Sequence, residues 1–382
     1  MDLALYIHIP FCTAKCPYCD FYSEVKIPQE EIYLQALESE VDLLKSYLEE
    51  VLSLPTPRIK TLYIGGGTPS LLSPKFYERL ISKLQKSFIF HPSELSIEAN
   101  PETLTLEKVQ GYREVGFNRI SLGIQSLQKR GLIFLQRRHT LKEIFRAIDF
   151  SKRANFENIS FDFIYGWKGQ GLKGLYRELC LALSFNPNHL SFYELTLYPH
   201  TPFYHRYLNS AFLNEKRLLS FAKFITTSLT DWGYFPYEIS NFAKPGFECK
   251  HNLAYWKVEP YLGLGAGAVS RLLELRFKNP ESVDHYYEAI LVKKKLPFII
   301  IERLNTLEVV KEKIFMGLRL TEGISLEEIE KYSFHIKASA LEELIQRGLL
   351  TISENNLKLT LKGRFLHQVV VGYLWKNLEK IR

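Results

Sequence analysis

Short apolar runs alternate with segments of helical periodicity along the first half of the chain. The β-rich runs occur at residues 4–9, 60–64, 94–99, 119–124, 159–165 and 190–197. The clearest helical segment repeats apolar residues in steps of three and four, namely Tyr33, Leu37, Val41, Leu44, Leu48 and Val51. Six strand–helix units in series predict a parallel sheet that is buried on both faces and joined by right-handed crossovers.

This pattern predicts an α/β protein built on a partial (β/α)6 barrel. After about Trp232 the pattern changes, and residues 237–242 lead into an aromatic and glycine-rich stretch that ends near Ser270. Residues 325–373 show a helix–helix–hairpin pattern that resembles a winged helix. We therefore predict two domains, residues 1–233 and 234–382, of which the second is smaller and mixed and includes the winged-helix-like segment.

Composition and charge narrow the class of protein. The chain has 382 residues, of which 46% are hydrophobic and 24% charged, as in ordinary folded domains. The net charge of +7 is spread without a block of like charge, so nucleic-acid binding is not expected. The N-terminal residues do not resemble a signal peptide, and no uncharged apolar run reaches the ~18 residues of a membrane span. We expect a cytosolic protein without a transmembrane segment.

Residues with useful chemistry follow the predicted strands. Three cysteines come after the first strand and the glycine-rich segment 65–69 after the second. Glu98 ends the third strand, Gln125 follows the fourth, and Asp162 lies late in the fifth. Because the carboxyl ends of parallel strands meet at one edge of a sheet, we expect a single site there.

The cysteine cluster predicts a metal centre. Cys12, Cys16 and Cys19 are three of five cysteines, and three thiolates leave one iron of a 4Fe–4S cluster open. Zinc is the alternative, with His8 or Cys249 as a fourth ligand. The position directly after the first strand favours the cluster. The apolar helical run around Cys180 predicts a core position for that residue.

Together these segments resemble the radical SAM family that contains oxygen-independent coproporphyrinogen III oxidase and the heme chaperone HemW. The matching segments are 6–19, with the cysteines, 65–70, 97–101, 118–126, 137–139 and 162–166. The resemblance implies a radical SAM barrel with a 4Fe–4S cluster on Cys12, Cys16 and Cys19, whose open iron chelates S-adenosylmethionine (SAM).

The resemblance also implies which residues contact SAM. The matching positions are Tyr6, Tyr18, Gly66, Gly67, Thr68, Glu98, Gln125, Arg137 and Asp162. Their chemistry suits the ligand, because glycines let a backbone approach it closely and an arginine can hold a carboxylate with two hydrogen bonds. Carboxylates can accept from ribose hydroxyls.

Two features favour the heme chaperone branch over the oxidase branch. The oxidase carries a fourth cysteine where this chain has Phe21, and it has a longer segment before its cluster. Residues 251–256, His-Asn-Leu-Ala-Tyr-Trp, resemble the heme-binding element of the chaperones, which makes His251 the candidate axial ligand, with the Cys249 thiolate as the alternative. Lys250 or Arg271 would then meet the heme propionates.

Two departures keep the oxidase open as an alternative. Val269 stands where the chaperones have histidine, and Tyr198 begins a segment that differs from the usual Glu-Pro-Gly-Thr. The alternative function is oxidative decarboxylation of coproporphyrinogen III to protoporphyrinogen IX. A DNA-binding tail is a third hypothesis, which acidic residues in that segment oppose: Glu327, Glu328, Glu330, Glu342 and Glu343.

The resemblance implies partners as well as cofactors. A heme chaperone binds heme and delivers it to respiratory proteins, near the membrane and as a homodimer. The oxidase would instead bind a porphyrinogen. Whether the chain is an enzyme depends on which branch is correct, and Phe21 counts against the oxidase reaction.

Overall fold

The computed structural model describes residues 1–381, and its strands fall as follows. They are β1 Asp2–Ile9, β2 Phe11–Cys12, β3 Glu24–Val25, β4 Arg58–Gly66, β5 Ile89–Ala99, β6 Arg119–Gln125, β7 Asn158–Tyr165, β8 His189–Glu194, β9 Phe235–Pro236, β10 Asn241–Ala243, β11 Tyr261–Leu264, β12 Val269–Leu272, β13 Leu275–Lys278, β14 Ile299–Arg303, β15 Ile324–Ser325, β16 Phe334–Ile336, β17 Leu350–Ser353, β18 Asn356–Leu359 and β19 Leu378–Lys380.

Helices connect most of these strands. They are α1 Glu30–Ser46, α2 Pro74–Ser87, α3 Leu106–Val115, α4 Lys129–Phe134, α5 Leu141–Arg153, α6 Leu172–Ser184, α7 Pro202–Tyr207, α8 Glu215–Asp231, α9 Lys250–Trp256, α10 Val283–Tyr287, α11 Thr306–Gly317, α12 Leu326–Glu330, α13 Ala338–Gln346, α14 Leu361–Phe365 and α15 His367–Lys376. Tyr47–Val51 and Glu288–Val292 form π-helical turns, and Pro69–Leu71, Pro101–Thr103 and Ala211–Leu213 form 3₁₀ turns.

The main sheet has the order β14-β13-β12-β11-β1-β4-β5-β6-β7-β8-β10-β9. Its centre, β1 and β4 to β8, is parallel and follows the order of the sequence. Five of these strands include the whole of the predicted run, and the sixth ends at Glu194 instead of residue 197. The predicted α/β fold is confirmed.

The two faces of the parallel sheet differ in polarity. Leu62, Ile97 and Phe161 belong to the face that packs in the main core, as alternation along the strands requires. Their neighbours on the other face are polar and also buried, namely Thr61, Ser96, Ser121, Ser160 and Ser191. Both faces are therefore buried as predicted, but the inner face is built for hydrogen bonding.

Two predicted core positions are wrong. The apolar stripe of α1 is buried as far as Leu48, but Val51 is 64% exposed, because the chain there forms a π-helical turn that changes the rotation per residue. Cys180 is exposed. In α6 the buried face holds Leu175, Leu179 and Ala182, and Cys180 lies about 100° around the helix from Leu179.

The C-terminal region has a second apolar core. Side chains from Val310 to Leu374 form it, in a part of the chain with two small sheets, β15-β18-β17 and β16-β19. The predicted domain boundary between residues 233 and 234 stays a prediction. Arg382, the last residue of the predicted second domain, lies outside the described residues. Within residues 1–381, the structure contains no helix with the length and apolarity to span a bilayer.

Candidate cluster and cofactor site

The three clustered cysteines lie in the loop that follows β1. This loop turns at Cys16, where its carbonyl accepts from the Cys19 amide at 3.1 Å, and each cysteine is only partly buried. Burial, together with the neighbouring Cys16 and Cys12, raises the pKa of the Cys19 thiol to about 11. Cys19 therefore carries its proton at neutral pH, and a metal that binds the thiolate displaces that proton.

A chain of hydrogen bonds joins two of these cysteines through three loops. Thr68 Oγ1 donates to Cys12 Sγ at 3.5 Å and accepts from Asn100 Nδ2 at 3.1 Å. The Arg137 guanidinium donates to Asn100 Oδ1 at 2.6 Å and to Cys16 Sγ at 3.3 Å. Donors on both sulfurs stabilise thiolates, so the surroundings suit an anionic cluster.

Asn100 belongs to this candidate site, although the sequence analysis did not single it out. It directly follows Ala99 at the end of β5, so its place in a strand-end motif was the available signal. Its side chain bridges Thr68 and Arg137, and it thereby couples two predicted SAM residues to the cysteine loop.

Gly67 lies against the cysteine loop as well as beside the expected SAM position. A Cβ atom at Gly67 would lie 2.6 Å from the Phe11 carbonyl oxygen and 3.0 Å from Cys12 Sγ. The Gly67 amide also donates to the Ile9 carbonyl at 2.8 Å. The absence of a side chain at Gly67 therefore allows a close contact with the loop that carries Cys12.

We expect Gly67→Ala to displace this loop, at a cost of about 1–3 kcal/mol in the free energy of unfolding. The nearest obstacle is backbone, which cannot move aside as a flexible side chain could. Urea unfolding and the rate of thiol labelling at Cys12 measure the effect. Gly372→Ala is the control, because no atom lies within 4 Å of its added Cβ, and it should stabilise α15. Equal effects of the two variants would contradict the interpretation.

Glu98 is the carboxylate at the centre of the expected SAM site. Its side chain accepts from the Tyr63 hydroxyl at 2.8 Å and from the Gly66 amide at 3.3 Å. Gly66 has φ of 113°, a conformation that favours glycine, and Tyr6 and Glu98 both border the neighbouring Gly65. Burial, together with the charge of Asp162, raises the pKa of Glu98 to about 7.

Asp162 lies on the polar inner face of the sheet, on β7. Ser121 and Ser191 donate to its two carboxylate oxygens at 2.8 and 2.7 Å, and Ser160 lies 3.4 Å away. Burial raises its pKa, and these hydrogen bonds lower it. The serines of the polar inner face therefore hold this carboxylate in place.

Tyr18, Gln125 and Arg137 complete the predicted set. Gln125 has φ of 64° at the end of β6, and its amide nitrogen lies near Gly123 and Asn100. Tyr18 packs against Phe203, and burial raises the pKa of its hydroxyl while the adjacent Arg137 lowers it. Hydrogen bonds thus connect Arg137 and Thr68 to the cysteine loop, which itself carries Tyr18, while Gln125 lies beside Gly123. Glu98, Tyr6 and Gly66 form a second group around Gly65.

Two observations test whether these residues fit a cluster and SAM. The Arg137 Nε atom is buried and has no hydrogen-bond partner within residues 1–381, so it has a free donor beside the cysteines. Both sulfurs of the hydrogen-bonded chain already accept from donors. A carboxylate ligand would satisfy the free guanidinium nitrogen, and the residues present fit the group.

The alternative fourth ligands for zinc are engaged elsewhere. His8 Nε2 lies 2.8 Å from the Tyr22 carbonyl oxygen and His8 Nδ1 2.9 Å from the Tyr6 hydroxyl. Cys249 Sγ lies 3.3 Å from Glu94 Oε1. In the described part of the chain, no three His, Cys, Asp or Glu side chains converge on one ion position. A cubane does not need such convergence, since each thiolate binds a different iron.

The candidate heme ligand His251 lies inside the barrel. It is 1% exposed, its Nδ1 lies 2.9 Å from Thr61 Oγ1, and its Nε2 lies 2.9 Å from the Tyr255 hydroxyl. Its ring stacks on Tyr63 with 5.2 Å between centroids. Burial lowers the pKa of His251 to about 3, so the imidazole is neutral, as a metal ligand must be. Both ring nitrogens are nevertheless occupied.

Arg271, one of the two expected propionate partners, is already paired. Its guanidinium forms a salt bridge with Glu312 at 3.0 Å and donates to the Val258 carbonyl at 3.3 Å. Lys250 is exposed, and its backbone amide donates to Glu94 at 3.0 Å. The Arg271 side chain therefore has another function in the fold.

Comparison with known proteins gives matches along most of the chain. Residues 6–176 match the model of the radical SAM superfamily, and residues 304–366 match that of the HemN C-terminal domain. The heme chaperone HemW of Bacillus subtilis (strain 168) is 36% identical over 380 residues, which cover 96% of this chain and 97% of that protein. The heme chaperone HemW of Escherichia coli (strain K12) is 36% identical over 270 residues, covering 70% and 69%.

A solved structure supports the fold. The coproporphyrinogen III oxidase HemN from Escherichia coli, described as a radical SAM enzyme, superposes with a TM-score of 0.82 over 98% of this chain and 90% of that one. The two sequences are 24% identical. This similarity concerns the arrangement of the elements.

Proposed function

Since this chain belongs to the HemW family of heme chaperones within the radical SAM superfamily, we propose that it binds heme and delivers it to respiratory proteins. The observation that carries the proposal is the full-length similarity to chaperones of that name, at 36% identity over 97% of the Bacillus subtilis relative. Phe21, in place of a fourth cysteine, agrees with this branch.

We further propose that Cys12, Cys16 and Cys19 hold a 4Fe–4S cluster. When bound, such a cluster with one open iron supplies a site for SAM and an electron for its cleavage. Thr68 and Arg137 stabilise the thiolates by donating to Cys12 and Cys16. Arg137 also offers its free Nε to the carboxylate of SAM.

The remaining predicted residues would orient SAM. Glu98 and Asp162 offer carboxylates to hydroxyl or amino groups, and Tyr63 together with the Gly66 amide holds Glu98 in position. The stretch from Gly66 to Thr68 lies beside the cysteine loop. Tyr6, Tyr18 and Gln125 would border the bound SAM, where the two tyrosine rings would exclude water.

The raised pKa of Glu98 predicts that SAM binding depends on pH. The carboxyl group takes up a proton as the pH falls through about 7, and it then accepts fewer hydrogen bonds from the ligand. SAM affinity of the cluster-loaded protein should therefore fall below pH 7, by at most about tenfold per pH unit for one proton. Isothermal titration between pH 6 and 8.5 measures it.

Glu98→Gln is the matched control for this pH dependence. The variant keeps the shape of the side chain and cannot ionise, so its affinity should follow only the titration of SAM itself. Identical pH profiles for the variant and the parent protein would assign the dependence to another group.

One sample can separate the chaperone from the oxidase. The protein is purified without oxygen, loaded with iron and sulfide, titrated with heme, and then incubated with coproporphyrinogen III, SAM and a reductant. We expect stoichiometric heme binding and no protoporphyrinogen IX. A clear yield of protoporphyrinogen IX would replace the proposed function by the oxidase.

We also propose a cytosolic location, and a homodimer that meets its heme acceptors at the membrane surface. Within residues 1–381 no helix is long and apolar enough to cross a bilayer, so this proposal is one of peripheral contact only. Analytical ultracentrifugation at micromolar concentration, with and without heme, tests the dimer. Monomers under both conditions would remove it from the proposal.

A further inference from the structure

A cluster of buried polar groups lies where α9 meets the C-terminal region. The Arg319 guanidinium stacks on the Trp256 ring, with 4.4 Å between its carbon and the ring centroid. The same guanidinium forms a salt bridge with Glu238 at 3.1 Å. Glu238 is 0% exposed and also accepts from the Asn241 side chain at 2.7 Å. Three parts of the chain therefore share one charged junction.

Three buried polar atoms of this junction have no hydrogen-bond partner within residues 1–381. They are Trp256 Nε1, Arg319 Nε and Asn241 Oδ1. Buried polar groups are nearly always satisfied, so three in one set of contacting residues indicate a missing partner. The Trp256 and Arg319 atoms are hydrogen-bond donors, so their missing partner is an acceptor. Asn241 Oδ1 is an acceptor, so its missing partner is a donor such as water.

The charge of the junction favours an anion. Arg364 brings a second guanidinium, which donates to Thr321 Oγ1 at 2.5 Å. Burial lowers the pKa of Arg364, and the charge of Glu238 raises it, so the carboxylate lies within its electrostatic reach. One guanidinium is thus paired with the carboxylate, and the second lies on the neighbouring Thr321. The nearby His367 adds no charge, because burial lowers its pKa to about 4.

The position on α9 connects this junction to the candidate heme ligand. Trp256 follows Tyr255, whose hydroxyl is hydrogen-bonded to His251 Nε2. Trp256 lies five residues after His251, or roughly 7.5 Å along the helix axis at the usual rise per residue. The two residues therefore lie on one short helix, about 140° apart around its axis.

We propose that Arg319, Arg364 and the Trp256 Nε1–H group form a carboxylate site, which holds a propionate of the bound porphyrin. A carboxylate accepts two parallel hydrogen bonds from a guanidinium and would satisfy both orphaned donors. Glu238 accepts from Arg319 Nη2 at 3.1 Å, which leaves Nε without a partner in the described residues. This inference rests on the proposed heme binding and names the groups that recognise the acidic side chains.

The test compares heme with heme dimethyl ester, in which both propionates are blocked. We expect the parent protein to bind heme at least about tenfold more tightly than the ester, as charged hydrogen bonds provide. Arg319→Gln and Arg364→Gln should lose that preference and bind the two ligands with similar affinity. Absorbance titration of the full chain gives both dissociation constants.

Three further variants keep the test decisive. Arg319→Gln leaves the buried Glu238 unpaired, so the double change Glu238→Gln with Arg319→Gln provides a neutral pair that preserves the fold. Arg347→Gln, on a side chain that is 63% exposed in the same region, is the matched control and should keep the preference. His251→Ala should weaken heme and ester equally.

The outcomes separate this inference from the proposed function. If the parent protein binds neither ligand, the proposed function fails and the carboxylate site fails with it. If heme binds but the ester binds as tightly, or if the neutral pair and Arg364→Gln retain the preference, only the carboxylate site is wrong. Water alone then satisfies the orphaned donors.

Discussion

Changing Cys12, Cys16 or Cys19 to serine is expected to abolish iron and sulfide binding, from about four irons per chain to almost none. A cubane with only two thiolates lacks the coordination that keeps it in the protein. Iron and acid-labile sulfide, measured after anaerobic reconstitution and desalting, give the result. Loss of the cluster should also remove cluster-dependent SAM binding.

The chain offers two matched cysteine controls. Cys180 is exposed on α6, and Cys249 is buried against Glu94 away from the cysteine loop. Cys180→Ser and Cys249→Ser should therefore keep full iron content. Zinc in place of iron in the reconstituted parent protein, or full iron in all three loop variants, would contradict the proposed cluster and the SAM site that depends on it.

Replacing His251 by alanine is expected to weaken heme binding at least about tenfold and to shift the Soret band, because the iron loses its axial ligand. The structure adds a requirement, since Nε2 is hydrogen-bonded to Tyr255 and Nδ1 to Thr61. Heme iron must displace one of these partners. Tyr255→Phe releases Nε2 and should bind heme at least as tightly as the parent protein.

Stability must be measured beside affinity in this experiment. Removing the buried imidazole leaves Thr61 and Tyr255 unpaired, at a cost of about 1–3 kcal/mol for each buried group. Thr61→Val removes one of the same hydrogen bonds and keeps the imidazole, so it separates a loss of stability from a loss of ligation. Heme affinity that is unchanged in a folded His251→Ala protein would rule out the ligand assignment.

The HemW-like interpretation places two binding functions along one polar interior. Glu98 and Asp162 line the carboxyl-end half of the inner sheet face, and Thr61 and His251 lie toward its other end. Tyr6 and Tyr63 lie between them, each within 6.4 Å of the His251 ring by centroid distance. If both proposals hold, the SAM site and the heme ligand are neighbours separated by two tyrosine rings.

The sequence by itself determined the parallel sheet and the position of the cysteine loop. Both follow from local signals: six apolar runs at strand length, helical spacing between them, and three cysteines within eight residues after the first strand. Strand-end placement also selected Glu98, Gln125 and Asp162, because parallel strands bring their carboxyl ends to one edge. These inferences need no knowledge of which distant residues touch.

Only the tertiary structure decided which groups act on one another. Arg137 meets Cys16 across 121 positions, His251 meets Thr61 across 190, and Arg319 meets Glu238 across 81. It also revealed the polar inner face and the exposure of Cys180. Periodicity reports which face of an element is buried, but a hydrogen bond depends on the partner that folding brings to that face. That partner is set by packing over the whole chain.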